Sequence, residues 1–384
     1  MDMGKDEIIS KTISGLRFPL TAGVVFMHFN LAKNGLSIHG IEYGVNHPTW
    51  YGHFHHFFCY ALPSIIVPLF FFISGFLFFY GKDFDSKLYI KKLKTRARTL
   101  LVPFILWNVI AFLNMAWRML PCLSPVFPNA YKTEFKFSLL RMFNTLFYNN
   151  RYNSVLVPPM DESVDVATIL PAPMDVPMWY VRDLMLMVLL SPVIYWLLKK
   201  GGIWYVIVVG IISSFLILPD GYYWVFLSTA LFFFSWGAYY SVHKKSFVDS
   251  MRGYWYMPLL FLCLAVVDAW PKNTESLHLY IHSMSQFVGV ISAIVVMSYL
   301  VENGKVKINS ILAGGSFFVY ALHMLILTDI GKILVIVFHL PDDTYVMLAC
   351  SFIVPAITYS ICMGLYVLLK RYMPRVCNLL TGGR

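Results

Sequence analysis

Long apolar runs alternate with short polar breaks along this chain. Stretches of spanning length cover 15–31, 60–80, 99–118, 177–198, 202–219, 222–241, 254–270, 283–301, 311–334 and 345–369. A helix needs about 20 mostly apolar residues to cross the hydrocarbon core of a bilayer. The pattern therefore predicts an all-α integral membrane protein with about ten transmembrane helices. Residues 202–219 and 222–241 are separated only by the turn Pro219-Asp220-Gly221, a pairing of breakers that marks a tight reversal. No internal repeat runs through the pattern, so an inverted-repeat transporter finds no support in it.

Composition strengthens this reading. Of 384 residues, 58% are hydrophobic and only 13% charged, about half the charge that a soluble domain carries. A soluble enzyme and a disordered chain are both excluded. The net charge of +10 raises nucleic acid as a partner, but the basic residues sit in short runs between apolar stretches, as cytoplasmic loops do. With the N-terminus inside, the inner segments and Arg17 hold 21 of the 30 lysines and arginines. Both termini are then cytoplasmic, and a multi-pass protein of the inner membrane is expected. The organisation follows: a cytoplasmic tail over 1–14, a membrane domain over 15–370 with one long outer loop at 119–176, and a cytoplasmic tail over 371–384. That loop carries an acidic patch at Asp161, Glu162 and Asp165. No small-residue cleavage site follows the first apolar stretch, which reads as a retained helix rather than a signal peptide. Six cysteines show no CxxC spacing. A disulfide framework is not expected, with an outer Cys59–Cys122 bridge left open.

Polar residues inside spans mark candidate chemistry, because desolvating them costs several kcal/mol unless they are paired or wet. Arg17 and His28 lie eleven apart in the first span. At about 100° per residue they differ by roughly 20° around the helix and by about 16 Å along it. They share one face, which fits a polar channel; a snorkelling arginine and a structural histidine fit as well. His323, in the ninth span, falls at a depth similar to His28, as two residues lining one cavity would. A histidine bonded within the bundle is the plain alternative. Ser74-Gly75 forms a small-residue break in the second span that admits a backbone or a ligand. Trp179 and Tyr180 open the fourth span and suit an interfacial belt; Arg182 and Asp183 follow at its outer edge. Asp329 and Lys332, three apart, are expected to pair.

The densest charge run is Lys91-Lys92-Leu-Lys94-Thr-Arg96-Ala-Arg98. It serves as a topology signal and equally as a cytoplasmic phosphate site. His53, His55 and His56 cluster in an outer segment without a carboxylate or cysteine at ligand spacing, so no metal site is expected.

In this order the pieces resemble the acyltransferase-3 family of integral-membrane O-acyltransferases. The resemblance rests on Arg17 with His28, and on Phe71-Phe72-Ile73-Ser74-Gly75-Phe76. It continues with the basic run leading into Leu100-Leu101-Val102-Pro103 and Trp107, then Trp179-Tyr180-Val181, and finally Ser316, Phe317, Tyr320 and His323. It covers about residues 15–370. One departure is that many members carry Arg-x-x-Arg in the basic loop, whereas this chain has Arg96-x-Arg98 behind Lys94.

The resemblance implies transfer of an acyl group, most often acetyl, from cytoplasmic acyl-CoA to a carbohydrate hydroxyl. The acceptor would be a polysaccharide, lipopolysaccharide, peptidoglycan or lipid-linked glycan, with membrane lipid as the surrounding partner and no metal. It makes His28 the general base and Arg17 the group that orients the donor. Lys94, Arg96 and Arg98 would bind the CoA phosphates, with Ser74, Trp179, Tyr180, Tyr320 and His323 around the cavity. Two other classes compete: a transporter exporting a glycan or acyl group, and a catalytically idle membrane scaffold.

Overall fold

The computed structural model describes residues 4–38, 41–81, 83–123, 134–147, 155–157, 172–215, 222–270 and 275–383. The acidic patch at Asp161, Glu162 and Asp165 and the turn Pro219-Asp220-Gly221 lie outside the described residues.

The chain opens with α1 (Lys5–His28), a short α2 (Leu31–Asn34) and a small hairpin of β1 (Leu36–Ile38) and β2 (Ile41–Tyr43). Next, α3 (Thr49–His56) runs through a π turn and a 3-10 turn into α4 (Ile66–Phe79). In the same way α5 (Ser86–Arg96) passes through a π turn over Ala97–Leu101 into α6 (Val102–Arg118). A two-residue ladder, β3 (Glu134–Phe135) with β4 (Leu156–Val157), flanks α7 (Leu139–Phe147). Then come α8 (Trp179–Phe215), α9 (Tyr222–Val242), α10 (Phe247–Met251), α11 (Met257–Ala269) and α12 (Glu275–Glu302). The chain closes with α13 (Ser310–Val337), α14 (Thr344–Tyr372) and α15 (Pro374–Thr381).

Local chemistry sets these bounds. Asp85 accepts the Leu88 amide at 2.6 Å before α5. Asn309 and Asp343 accept amides in the first turns of α13 and α14, which satisfies donors that a helix start otherwise leaves unpaired. The α8 run breaks at Gly202, whose φ of 53° only glycine adopts freely. The break separates the two apolar stretches that the sequence places at 177–198 and 202–219. Among the described residues, six continuous helical stretches are long and apolar enough to cross a membrane: Thr49–Phe79, Ser86–Arg118, Val176–Ser214, His278–Glu302, Ser310–Val337 and Thr344–Tyr372. The protein is a helical, multi-pass membrane protein.

The tightest crossing joins α4 and α9. A Cβ on Gly75 would collide with the carbonyl of Phe234, and one on Gly237 with the carbonyl of Phe72. The two backbones touch, as small residues permit in membrane bundles. Gly75 is therefore a packing residue, while its neighbour Ser74 turns elsewhere. On the other side α1 packs against α13 and α12, and this contact carries the site.

One expectation is corrected here, and two points that the sequence leaves open are answered. Asp329 pairs with Arg118 at 2.6 Å across α6 and α13, rather than with Lys332. Arg182 and Asp183 are buried and bonded to each other at 2.8 Å, with Arg182 also donating to the Phe147 carbonyl at 2.9 Å; neither is an exposed anchor. All six cysteines are free thiols, Cys59 and Cys122 included.

Candidate active site

A cavity of about 290 Å³ lies between α1, α4, α8 and α13. Helical spacing brings its polar lining together: Arg17 and Thr21 are one turn apart on α1, and Ser316 and Tyr320 one turn apart on α13. Ser74 and Tyr180 face it from α4 and α8. Tyr180 donates to the Phe70 carbonyl at 3.3 Å and sits 3.0 Å from the Ser74 hydroxyl, so Ser74 donates to Tyr180. Thr21 and Ser316 spend their hydroxyl protons on Arg17 and Leu312 carbonyls of their own helices.

Two arginines face this mostly apolar hollow. Arg17 from α1 and Arg96 from the end of α5 both line it, and no Asp or Glu does. Among the described residues neither guanidinium makes a hydrogen bond or an ion pair. Arg17 is exposed and Arg96 partly buried, so an anion entering the cavity would meet two guanidinium groups with no competing carboxylate in the lining.

The lining ends at Tyr320 on α13 and Thr21 on α1. One to two turns further, His28 and His323 meet: His323 Nε2 lies 3.0 Å from His28 Nδ1, with ring centroids 5.0 Å apart. Tyr320 stands between the cavity and this pair, its ring 6.2 Å from Tyr180 and 6.3 Å from His323. Its hydroxyl donates to the Pro177 carbonyl.

The bonds assign the tautomers. His323 Nδ1 faces the carbonyls of Tyr320 at 2.6 Å and Val319 at 3.2 Å, while His28 Nδ1 faces the Val24 carbonyl at 2.9 Å. Carbonyls only accept, so both Nδ1 atoms carry the proton. The lone pair of His323 Nε2 then shares the His28 Nδ1–H with the Val24 carbonyl. What remains is the lone pair of His28 Nε2, which has no protein partner among the described residues. His323 is fully buried and His28 partly buried. This is an oriented imidazole whose basic nitrogen is unbonded among the described residues, and the group behind it can stabilise the positive charge that protonation would bring.

The remaining sequence candidates distribute unevenly. Lys94 and Arg98 are exposed and line neither this cavity nor the surface pocket beside it. On the helix that begins at Ser86, positions 91, 92, 95, 96 and 99 share a side, and 94 falls on the other. Trp179 packs against the core rather than lining the cavity. The three outer histidines diverge: His53 stacks on Trp270 at 5.3 Å, His55 reaches Ser351 at 3.0 Å, and His56 lies against Tyr60 and His278. Among the described residues no group of three or more ligand side chains could hold a metal ion.

Sequence reasoning missed Asp175. It is fully buried just before α8, and among the described residues neither carboxylate oxygen has a hydrogen-bond partner. Its amide donates to Asn108 at 2.9 Å. Burial pushes its carboxyl well above the usual carboxylate range. Nothing local in Pro-Met-Asp-Val-Pro signals this, because the burial comes from α6 and α8.

The site thus holds two arginines on a mostly apolar cavity, with a pair of bonded imidazoles beyond Tyr320. The chain belongs to the acyltransferase-3 family: the family's profile, described as an acyltransferase domain, matches residues 11–366. It is also similar to the succinoglycan biosynthesis protein ExoH of Rhizobium meliloti, at 28% identity over 270 residues, covering 69% of this chain and 62% of that protein. The chain thus spans less than two thirds of this relative. No solved structure matches the chain.

Proposed function

We propose that the protein is an integral-membrane O-acyltransferase. It moves an acyl group, acetyl in the first instance, from acyl-CoA to a hydroxyl of an extracytoplasmic or lipid-linked carbohydrate. The observation that carries this reading is the pair of arginines, Arg17 and Arg96, without an ion pair among the described residues on one cavity, with the His28–His323 pair just beyond Tyr320. Family membership supports the chemistry, and similarity to a protein of succinoglycan biosynthesis supports a polysaccharide acceptor.

In this scheme the helices make ten crossings of the inner membrane, with both termini and the Lys91–Arg98 run on the cytoplasmic side. Acyl-CoA enters from that side, Arg96 meets its phosphates, and Arg17 orients the acyl-bearing arm. About 16 Å separates Arg17 from His28 along α1, which an extended pantetheine arm can cover. Ser74, Tyr180 and Tyr320 line the route. At its end His28 Nε2 takes the proton of the acceptor hydroxyl as the oxygen attacks the thioester carbonyl. The carbon–sulfur bond then breaks, and the His28 imidazolium returns that proton to the departing thiolate. The products are the ester and free CoA, and no acyl-enzyme is required. His323 is a positioning residue: it fixes the His28 tautomer and accepts from its Nδ1–H throughout.

His28→Ala in native membranes, supplied with labelled acetyl-CoA, is the test. Transfer to cell-surface glycan should disappear while the protein remains inserted at normal abundance. Retained transfer would sink the assignment. Mass spectrometry of glycans with and without the protein then identifies the acyl group.

A further inference from the structure

The chain changes character just beyond the histidine pair. α1 stops at His28, where Phe29 leaves helical geometry with φ of −100° and ψ of 62°. Its partner α13 runs on past His323 from Met324 to Val337, about 21 Å at 1.5 Å per residue. The chain that follows His28 is irregular instead: the single turn α2, then the β1–β2 hairpin. Backbone of this kind at the depth of a span is tolerated only where protein buries it or water reaches it.

Both conditions are met, on opposite sides of the segment. Phe29, Leu31, Leu36 and Ile38 are buried, and a Cβ on Gly331 of α13 would press on Phe29 and Leu36. Lys33, Asn34, Ser37 and Glu42 are exposed. Ser37 and Glu42 stand directly opposite each other in the β1–β2 ladder. Gly35, which ends α2, has φ of 55°, and a Cβ there would lie 3.0 Å from Glu42 Oε2. The hairpin thus folds the Glu42 carboxylate back over the end of α2.

The frame is pinned at several points. Asp342, between α13 and α14, accepts the Gly44 amide at 2.8 Å and the His47 Nε2–H at 3.0 Å. His47 Nδ1 meets the Thr344 hydroxyl at 2.9 Å, and the Asn30 side chain accepts the Lys33 amide at 3.1 Å. On that frame the side chains of Lys33 and Glu42 make no ion pair or hydrogen bond among the described residues. Open polar groups on a pinned segment are how loops commonly carry binding. One ammonium, one carboxylate, an amide and a hydroxyl offer donors and acceptors without net charge. That set suits a neutral, polyhydroxylated ligand; a phosphate or a lipid headgroup would call for uncompensated cations.

We propose that the segment between α1 and α3 recognises the acceptor carbohydrate, with Lys33, Asn34 and Glu42 as its specificity-determining residues. The inference deepens the acyltransferase reading and rests on it for the reaction. Lys33 and Asn34 follow His28 by five and six residues, so a glycan bonded to them brings one of its hydroxyls to the His28 ring. The three side chains hold hydroxyls that do not react, and so set which sugar is accepted.

The experiment compares Lys33→Ala, Asn34→Ala and Glu42→Gln with wild type in nanodiscs. The donor is acetyl-CoA, and the acceptor probe is surface polysaccharide from cells lacking the protein, de-O-acylated with alkali. Loss of one hydrogen bond should raise KM for the polysaccharide about 3- to 10-fold in each variant, with kcat held. KM for acetyl-CoA should not move. All three side chains are exposed, so the variants should keep the wild-type Tm. Unchanged KM for the polysaccharide in all three, or an equal rise in KM for acetyl-CoA, would overturn the proposal. Direct binding of the same polysaccharide separates the two readings. Wild type that binds it more tightly than Glu42→Gln, yet transfers no acyl group, would leave the recognition site standing and defeat the acyltransferase reading. If wild type neither binds nor acylates this glycan, the proposal falls.

Discussion

Arg17 and Arg96 differ from Arg118 and Arg182 in what they meet. The last two are held by carboxylates, Asp329 at 2.6 Å and Asp183 at 2.8 Å, and tie helices and loops together. The first two face a cavity with no acidic lining. The end of the bundle opposite the Lys91–Arg98 run repeats the paired pattern: His47 meets Asp342 at 3.0 Å, and His278 and His282 both clamp the buried Asp268. A membrane protein has few charges to place, so the difference is informative. Neutralised cations hold the fold; under the proposed function, Arg17 and Arg96 are kept open for the donor.

The sharpest break between the two groups is kinetic. His28→Ala should lower transfer by about 10²- to 10⁴-fold, the usual contribution of a positioned base, with little change in apparent Tm. Arg182→Ala should do the reverse. It leaves Asp183 buried without its partner, costing about 3–5 kcal/mol, seen as a drop in detergent-solubilised Tm.

Between these lies His323→Ala. The charge-assisted bond behind His28 is worth about 1.5–3 kcal/mol, so kcat should fall about 10- to 100-fold with KM for the donor unchanged; a change in KM alone would remove His323 from the positioning role.

The smallest effect is expected at Asp175, a buried acid whose carboxylate oxygens have no hydrogen-bond partner among the described residues. Its folded-state affinity for a proton is raised by burial, so the folded form binds more protons than the unfolded one. Stability is then lost as pH rises above the ordinary carboxylate range near about 4. Asp175→Asn should be more stable than wild type at pH 7–8, by about 1–3 kcal/mol, and the gain should vanish as pH falls towards about 4. Thermal unfolding across that range measures it.

How far this was legible in the chain depended on whether the geometry was local. Arg17 and His28 fall on one face because a single helix, α1, carries both, and helical period is readable from spacing. The small-residue break at Ser74-Gly75 was readable because its signal sits in two neighbouring residues. Pairings between distant segments were not. Asp329 was matched to its neighbour Lys332, but folding brings Arg118 within reach from 211 residues away. Similar depth hinted that His28 and His323 share a level; their direct bond needed the packing of α1 on α13. Within the basic run, composition alone could not choose, and the phase of α5 turns Lys91, Lys92 and Arg96 inward while Lys94 and Arg98 stay out. The C-terminal segment read as a tail, since nothing in its sequence shows that Gly382 meets Thr99.

The central claim is that the open arginines exist for the donor. Isothermal titration of acetyl-CoA into nanodisc-held protein tests it most directly, with wild type, Arg17→Ala with Arg96→Ala, and Arg118→Ala side by side. The double variant should bind at least about 10²-fold more weakly than wild type, since each lost bond to an ionised group costs about 1.5–3 kcal/mol, while Arg118→Ala keeps its donor affinity. Equal acetyl-CoA affinity in wild type and the double variant would contradict the account.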